Sequence, residues 1–258
     1  MKSSMLDGKK IVVMGVANKR SIAWAIARAY HDAGAQLAFT YQNNRFKDKV
    51  EKLVGEDMPG SLLLPCDVSE DAELDNMAEE LKIKWGRING LVHSIAYAKK
   101  EELDGLFAET SREGFLLAQD VSAYSLVAVT RRLYPMMEEG GSIVTLTFQG
   151  SQRVVPNYNV MGVAKASLEA SVRYLASDLG PHGIRVNAIS AGPIKTLSAK
   201  GVRDFNRLLD GIEEKTPLRR LATAEDVADT ALYLAADMSR AVTGTIHYVD
   251  CGYHIMGS

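Results

Sequence analysis

Cysteine, charge of one sign and long apolar runs are all scarce in this chain. Two cysteines, Cys66 and Cys251, stand among 258 residues. Neither has a partner at metal-ligand spacing, so both read as small buried apolar side chains in a reducing compartment. The histidines show no metal spacing either, and no metal is expected. No stretch approaches the ~20 apolar residues of a membrane span. The N-terminal apolar run 11–14 is too short for the core of a secretory signal and leads straight into Asn18-Lys19-Arg20. A soluble cytoplasmic protein with no membrane partner is expected. Net charge is −2, so no bulk basic field points to nucleic acid. No linker, repeat or charge run divides the chain.

What is present is an ordinary globular composition, 47% hydrophobic and 24% charged. Short apolar runs alternate with amphipathic stretches. Strands are expected at 11–14, 37–41, 62–64, 90–95, 142–147, 184–189 and 246–249. Helices are expected at 21–33, 44–54, 71–85, 112–137, 158–179 and 224–235. Such strands are too apolar to face water. The rhythm predicts an α/β fold: one Rossmann-like, doubly wound parallel sheet of about seven strands with helices on both faces. A single domain over 1–258 follows. Residues 190–219 form the one long irregular stretch, and about 194–210 is expected to cover a site.

The usual G-x-G-x-x-G fingerprint is missing after the first strand. Its physical parts remain in Gly15-Val-Ala-Asn-Lys-Arg-Ser21-Ile22-Ala23. Gly15 allows a tight turn and close backbone approach. Ser21 is placed to cap the next helix, whose free N–H groups can hold a pyrophosphate. Strand two ends in Thr40-Tyr41-Gln42-Asn43, where such folds recognise the adenosine ribose. Strand three ends in Cys66-Asp67-Val68, where a carboxylate can accept from the adenine amine or cap the helix after it. Gln42 adds no charge at the ribose, which favours NADH. Arg45 and Lys47 lie near enough to leave NADPH open.

Tyr158 and Lys165 are separated by seven positions. On a helix that spacing returns to nearly the same face, roughly 10.5 Å along the axis. A phenol and an ammonium can then point into one cleft. His93 ends an apolar strand and reads as a hydrogen-bonded structural histidine. Met136, Met137 and Met161 read as core or pocket lining.

These residues resemble the short-chain dehydrogenase/reductase superfamily, and within it the bacterial enoyl-[acyl-carrier-protein] reductases of type II fatty acid synthesis. The resemblance covers essentially the whole chain. It is carried by the Gly15–Ile22 turn, Thr40-Tyr41-Gln42, Cys66-Asp67-Val68, His93-Ser94-Ile95-Ala96, the block from Pro156 to Glu169, and the run from Arg185 to Leu197. The carbonyl reductases of the superfamily use Tyr-x3-Lys, which this helix lacks.

The resemblance implies that Gly15, Ser21, Ile22, Gln42, Asp67, Val68 and Ile95 line an NADH groove. It implies that Lys165 holds the nicotinamide ribose. Ile194, Lys195, Thr196, Leu197 and Ser198 would cover the pyrophosphate and nicotinamide. Ala98 and Phe148 would contact substrate, and Tyr158 would face its thioester carbonyl. The implied reaction is hydride addition to the β-carbon of a trans-2-enoyl thioester on acyl carrier protein. The implied assembly is a homotetramer built on helices 112–137 and 158–179. Lys200, Arg203 and Arg207 are candidates to dock the acidic carrier.

Two positions depart from the family pattern. Phe148 stands where a second tyrosine is usual, and Ala96 where a glycine is common. An aromatic wall survives at 148 and a donor does not. Two alternatives remain at this stage: a carbonyl or alcohol oxidoreductase of the same superfamily, or a non-catalytic dinucleotide-binding protein.

Overall fold

The computed structural model describes residues 4–196, 209 and 211–257. Leu197, Ser198, most of the expected 194–210 cover, and the basic trio Lys200, Arg203 and Arg207 lie outside the described residues.

Among the described residues the strands are β1 (Lys10–Met14), β2 (Gln36–Tyr41), β3 (Leu62–Pro65), β4 (Gly90–His93), β5 (Gly141–Thr147), β6 (Ile184–Ala191) and β7 (Ile246–Val249). They form one sheet in the order β3-β2-β1-β4-β5-β6-β7, with every pairing parallel. The helices that matter here are α1 (Ile22–Asp32), α2 (Asn44–Asp57), α3 (Asp71–Trp85), α4 (Arg112–Gln119), α5 (Ser125–Leu133), α6 (Asn159–Leu179), α7 (Ile212–Lys215) and α8 (Ala224–Ala235).

The two-residue period of a strand explains why β1 is apolar throughout. Ile11 and Val13 enter one core with Trp24, Leu37, Phe39 and Leu232. Val12 and Met14 enter the opposite core with Leu74, Leu91, Leu126 and Leu168. Each fully buried side chain of this size contributes about 1.5–3 kcal/mol. On the first face Tyr30 ties α1 to α8, its hydroxyl donating to Ala231 O at 2.9 Å.

Chain direction reverses its spread across the sheet between β1 and β4, which are paired through Met14 and His93. Ligands of such sheets lie in the crevice beyond the strand ends at this point.

Two expected helices are corrected. Residues 112–137 do not form one α-helix: a π-helical turn, Asp120–Tyr124, separates α4 from α5. Side chains there compete for backbone groups. Ser122 Oγ accepts from Tyr97 N at 2.9 Å and donates to Tyr97 O at 3.0 Å, while Ser125 Oγ donates to Val121 O at 2.7 Å. A widened turn of this type lets a helix serve neighbouring structure. The other correction concerns Tyr158, which precedes α6 by one residue. Asn157 and Asn159 flank it with φ of 61° and 28°. Asparagine tolerates such backbone better than most residues. The irregular entry therefore replaces the continuous helical face assumed for the tyrosine and lysine.

Candidate active site

The site is assembled at the carboxyl ends of the strands. Gly15 leaves β1 with φ of 92°, and a Cβ on it would lie 1.9 Å from Ser94 O. Only glycine lets the turn after β1 press against the exit of β4. Ser21 stands at the N-cap of α1 but makes no side-chain cap bond, which corrects the expected capping role. Its hydroxyl instead turns back into the loop. It accepts from Ala17 N and Asn18 N, both at 3.0 Å, and donates to Asn18 O at 2.7 Å. The loop is thereby closed on itself at the start of α1, whose first-turn N–H groups face it.

At the adenosine end, the exits of β2 and β3 are joined directly. Gln42 Nε2 donates to Asp67 Oδ2 at 2.8 Å. Ser69 donates to Asp67 Oδ1 through its N–H at 3.0 Å and its hydroxyl at 2.6 Å. Burial works to raise the Asp67 carboxyl, but the bonds from Ser69 and Gln42 outweigh it and leave the group below its ordinary range. Asp67 does not cap α3; Glu70 occupies that position without a side-chain bond. Val68 is buried beside it. Asn43 caps α2 by accepting from Arg45 N at 3.1 Å, so Arg45 begins the helix next to Gln42.

At the other end, Lys165 is 6% exposed and donates from Nζ to Leu146 O at 2.8 Å. Burial pushes its ammonium down to about 8, and the Glu169 carboxylate one turn along opposes that fall. Tyr158 packs edge-on against Phe148, with ring centroids 5.2 Å apart and an interplanar angle of 68°. Its phenol is pushed well above the ordinary tyrosine value, chiefly by burial and further by Glu169. It therefore stays a neutral hydrogen-bond donor across the working pH range. Gly150 makes room for the ring, since a Cβ there would fall 2.5 Å from Tyr158 Cδ1.

Tyr158 and Ala98 also meet through a small apolar cluster of Leu103, Ala118, Val160, Met161 and Ala164. The structure thus brings together Ala98, Phe148 and Tyr158 across sixty positions, and Lys165 follows Ala164 of the same cluster. Leu103 and Ala118 were not anticipated: one sits in a short irregular stretch, and the other looks like any small helix residue. Only their placement opposite α6 reveals them. Ile95 is half-buried beyond β4, and Ile194 and Thr196 follow β6 as partly covered residues with Lys195 exposed between them.

His93 is fully buried, with Nδ1 3.0 Å from Thr145 Oγ1 and Nε2 2.9 Å from Ser125 Oγ. Burial, then the Lys165 charge, lowers it to about 3. It is the neutral structural histidine expected. Its linkage has a definite sign. The unfolded chain takes up this proton below about 6.5 and the folded chain only below about 3, so the stability it contributes is complete above 6.5 and is lost as pH falls toward 3. Denaturant titrations at pH 7 and 5 should differ by about 2 kcal/mol more in the wild type than in His93→Gln. Equal differences would show that His93 titrates normally.

Met136, Met137 and Met161 are buried, as are both cysteines. Burial first, then Glu73 and Asp67, pushes the Cys66 thiol up to about 12. It is inert at neutral pH.

A doubly wound parallel sheet with a tyrosine and a buried lysine gathered at the end of β5 is the arrangement of the short-chain dehydrogenase/reductase class. Within it, the chain belongs to the Enoyl-(Acyl carrier protein) reductase family, whose model matches residues 15–254. Relatives support this over full length. The chain is 60% identical over 255 residues to the Enoyl-[acyl-carrier-protein] reductase [NADH] FabI of Bacillus cereus, covering 98% of this chain and 99% of that protein. It is 59% identical to the Bacillus subtilis protein of the same name over 251 residues, 97% of each chain. Among solved structures, the Bacillus cereus reductase with NADP+ and indole naphthyridinone superposes with a TM-score of 0.97 at 59% identity, covering 99% of this chain and 100% of that one. The Anaplasma phagocytophilum reductase in complex with NAD gives 0.94 at 46% identity, covering 99% and 97%.

Proposed function

We propose that this protein reduces the trans-2 double bond of enoyl thioesters carried on acyl carrier protein, using NADH, in the last reductive step of fatty acid elongation in the cytoplasm. The observation that carries this reading is the site itself: a neutral phenol seated against Phe148 and a buried ammonium held at Leu146 O, in a chain of this family. The residues fit a dinucleotide. Gly15 permits the close approach, Ser21 closes the phosphate loop, and Ile22 opens the helix that receives the charge. Gln42, Asp67 and Val68 would hold the adenosine, with Ile95, Ile194, Lys195 and Thr196 along the rest of the groove. A bound NADH would supply the hydride.

Lys165 would bind the ribose hydroxyls, since an ammonium has three donors and Leu146 O takes one. Tyr158 would donate to the thioester oxygen as enolate charge develops there. Phe148, Ala98 and the Leu103–Met161 cluster would offer an apolar wall to the acyl chain. No polar residue of the site competes with Tyr158 through position 148, where phenylalanine carries no donor.

Gln42 is uncharged and hydrogen-bonded to an Asp67 carboxylate, an arrangement unfavourable to a 2′-phosphate. That supports NADH, although the Bacillus cereus relative was solved with NADP+. The testing assay follows nicotinamide absorbance with crotonyl and longer enoyl thioesters, with each cofactor in turn. Turnover of enoyl thioesters with preference for NADH is expected. Turnover of a 3-ketoacyl thioester alone would point to a carbonyl reductase, and cofactor binding with no turnover to a non-catalytic protein.

A homotetramer is part of the same reading. Phe115, Leu116 and Tyr124 on the α4–α5 run and Val163 and Tyr174 on α6 are large apolar groups left open to solvent. A second copy packed on these helices would cover them. Light scattering should return four times the 28.1 kDa chain mass; a monomer mass would reject the assembly. No helix among the described residues is long and apolar enough to cross a membrane.

A further inference from the structure

Helix α6 reaches the exit of β5 with two buried side chains one turn apart. Lys165 takes Leu146 O, as described. Glu169, 5% exposed, accepts at Oε1 from Thr147 Oγ1 at 2.7 Å and from Ser151 Oγ at 2.5 Å. The reduction outlined above gives Glu169 no task. A carboxylate buried this deeply costs several kcal/mol unless its bonds and partners compensate, so its neighbours are informative. Thr147 and Ser151 bracket a short turn. That turn carries Phe148 and Gly150, the two residues against the Tyr158 ring. A Cβ on Gly162 of α6 would lie 2.6 Å from Gly150 O, so turn and helix are already in contact there.

We propose that Glu169 is a positioning residue for the reduction: by gripping Thr147 and Ser151 it fixes the turn that seats Tyr158, and it keeps a negative charge near the Lys165 ammonium. This rests on the enoyl-reductase reading. Among the described residues, the charged and titratable groups coupled to the pair are Tyr158 and His93. Lys165 feels Glu169 on its own helix, and its charge in turn reaches neutral His93 on β4. Glu169 in turn acts on Lys165 and on Tyr158 from the turn before α6. Glu169 thus opposes the loss of the Lys165 proton that burial promotes.

The test uses the full-length protein and Glu169→Gln, which keeps an acceptor oxygen and the side-chain volume. Two quantities are read: kcat on an enoyl thioester, and NADH affinity against pH by fluorescence titration. The kcat should fall about tenfold, because a neutral amide oxygen holds the two hydroxyls more weakly than a carboxylate and loosens the seat of the ring. The basic limb of NADH binding should move down by about one pH unit. A purely structural role would lower thermal stability and leave that limb in place. Wild-type kcat with an unmoved limb overturns the proposal; a lower kcat with an unmoved limb removes its charge component. If Glu169→Gln does not fold, Ser151→Ala decides the positioning component. It removes one donor at the partly exposed side of the turn and leaves the charge. Its kcat should fall about fivefold with the limb at the wild-type pH, and Thr147→Ser, which keeps its hydroxyl, should match the wild type. Unchanged kcat in Ser151→Ala overturns the seat. A wild type inactive on every enoyl thioester would sink the enoyl-reductase reading instead, and the NADH limb would still judge Glu169.

Discussion

Tyr158→Phe is expected to lower kcat on a trans-2-enoyl thioester by about a hundredfold, the usual cost of losing one donor to a developing oxyanion. The KM for NADH should change little. The ring remains, so its edge-on contact with Phe148 and the space left by Gly150 are preserved. Thermal stability should therefore stay close to that of the wild type. The size of the effect follows from what surrounds the phenol. Position 148 offers an aromatic face and no hydroxyl, so no second phenol is at hand there to take over. Burial also keeps the Tyr158 proton in place well past its ordinary range. Ionisation of this group should thus leave no falling limb in kcat between pH 7 and about 10. Steady-state kinetics of the purified variant checks both points. Full activity in Tyr158→Phe would remove the donor role.

Lys165→Ala is expected to act mainly on the cofactor. One charge-assisted hydrogen bond contributes about 1.5–3 kcal/mol, so NADH affinity should fall by about 10- to 100-fold. At saturating NADH the loss in kcat should be smaller. Alanine also removes a buried stem and the donor to Leu146 O, so Lys165→Met is the necessary companion. It restores most of the volume and should recover stability without recovering affinity. In the wild type the same weakening should appear with rising pH. Burial sets Lys165 at about 8, so the ammonium is lost as pH climbs through that value. Fluorescence titration at pH 7 and 9 measures it. An NADH affinity that ignores both the substitution and the pH would assign the ribose to another group.

Much of the fold was legible because the signal is local. Each apolar run of β1, β4 and β6 declares burial on both faces, and α3, α8 and β7 occupy the spans their periodicity predicts. Gly15 could be singled out because a tight turn between strand and helix demands its backbone. Tyr158 and Lys165 could be paired by their spacing together with the Asn-Tyr-Asn-Val-Met-Gly block around the tyrosine. The mechanism of that pairing was different from the one the spacing suggested. Two asparagines with positive φ set the tyrosine outside α6, and the turn after β5 holds its ring.

Ser21 shows the same limit on a smaller scale. A serine before a helix has two good uses for its hydroxyl, and the sequence does not rank them. In the folded chain the oxygen serves the loop and leaves the helix end to its neighbours. The π-helical turn was equally hidden: Ser122 in it exchanges hydrogen bonds with Tyr97, twenty-five positions away.

By itself, the sequence determined the parallel sheet, the order of its elements, the glycine turn and the choice of Tyr158 and Lys165 as candidates for the reaction. These depend on periodicity and residue chemistry within a window of a few turns. The tertiary structure decided how the phenol is seated, that Lys165 is buried and shifted, that Gln42 joins Asp67, and that Glu169 grips the turn after β5. Those outcomes depend on groups far apart in the chain that meet only when parallel strands bring their ends to one edge. Around Lys165 and Glu169 the charges and hydrogen bonds acquire strength because water is excluded.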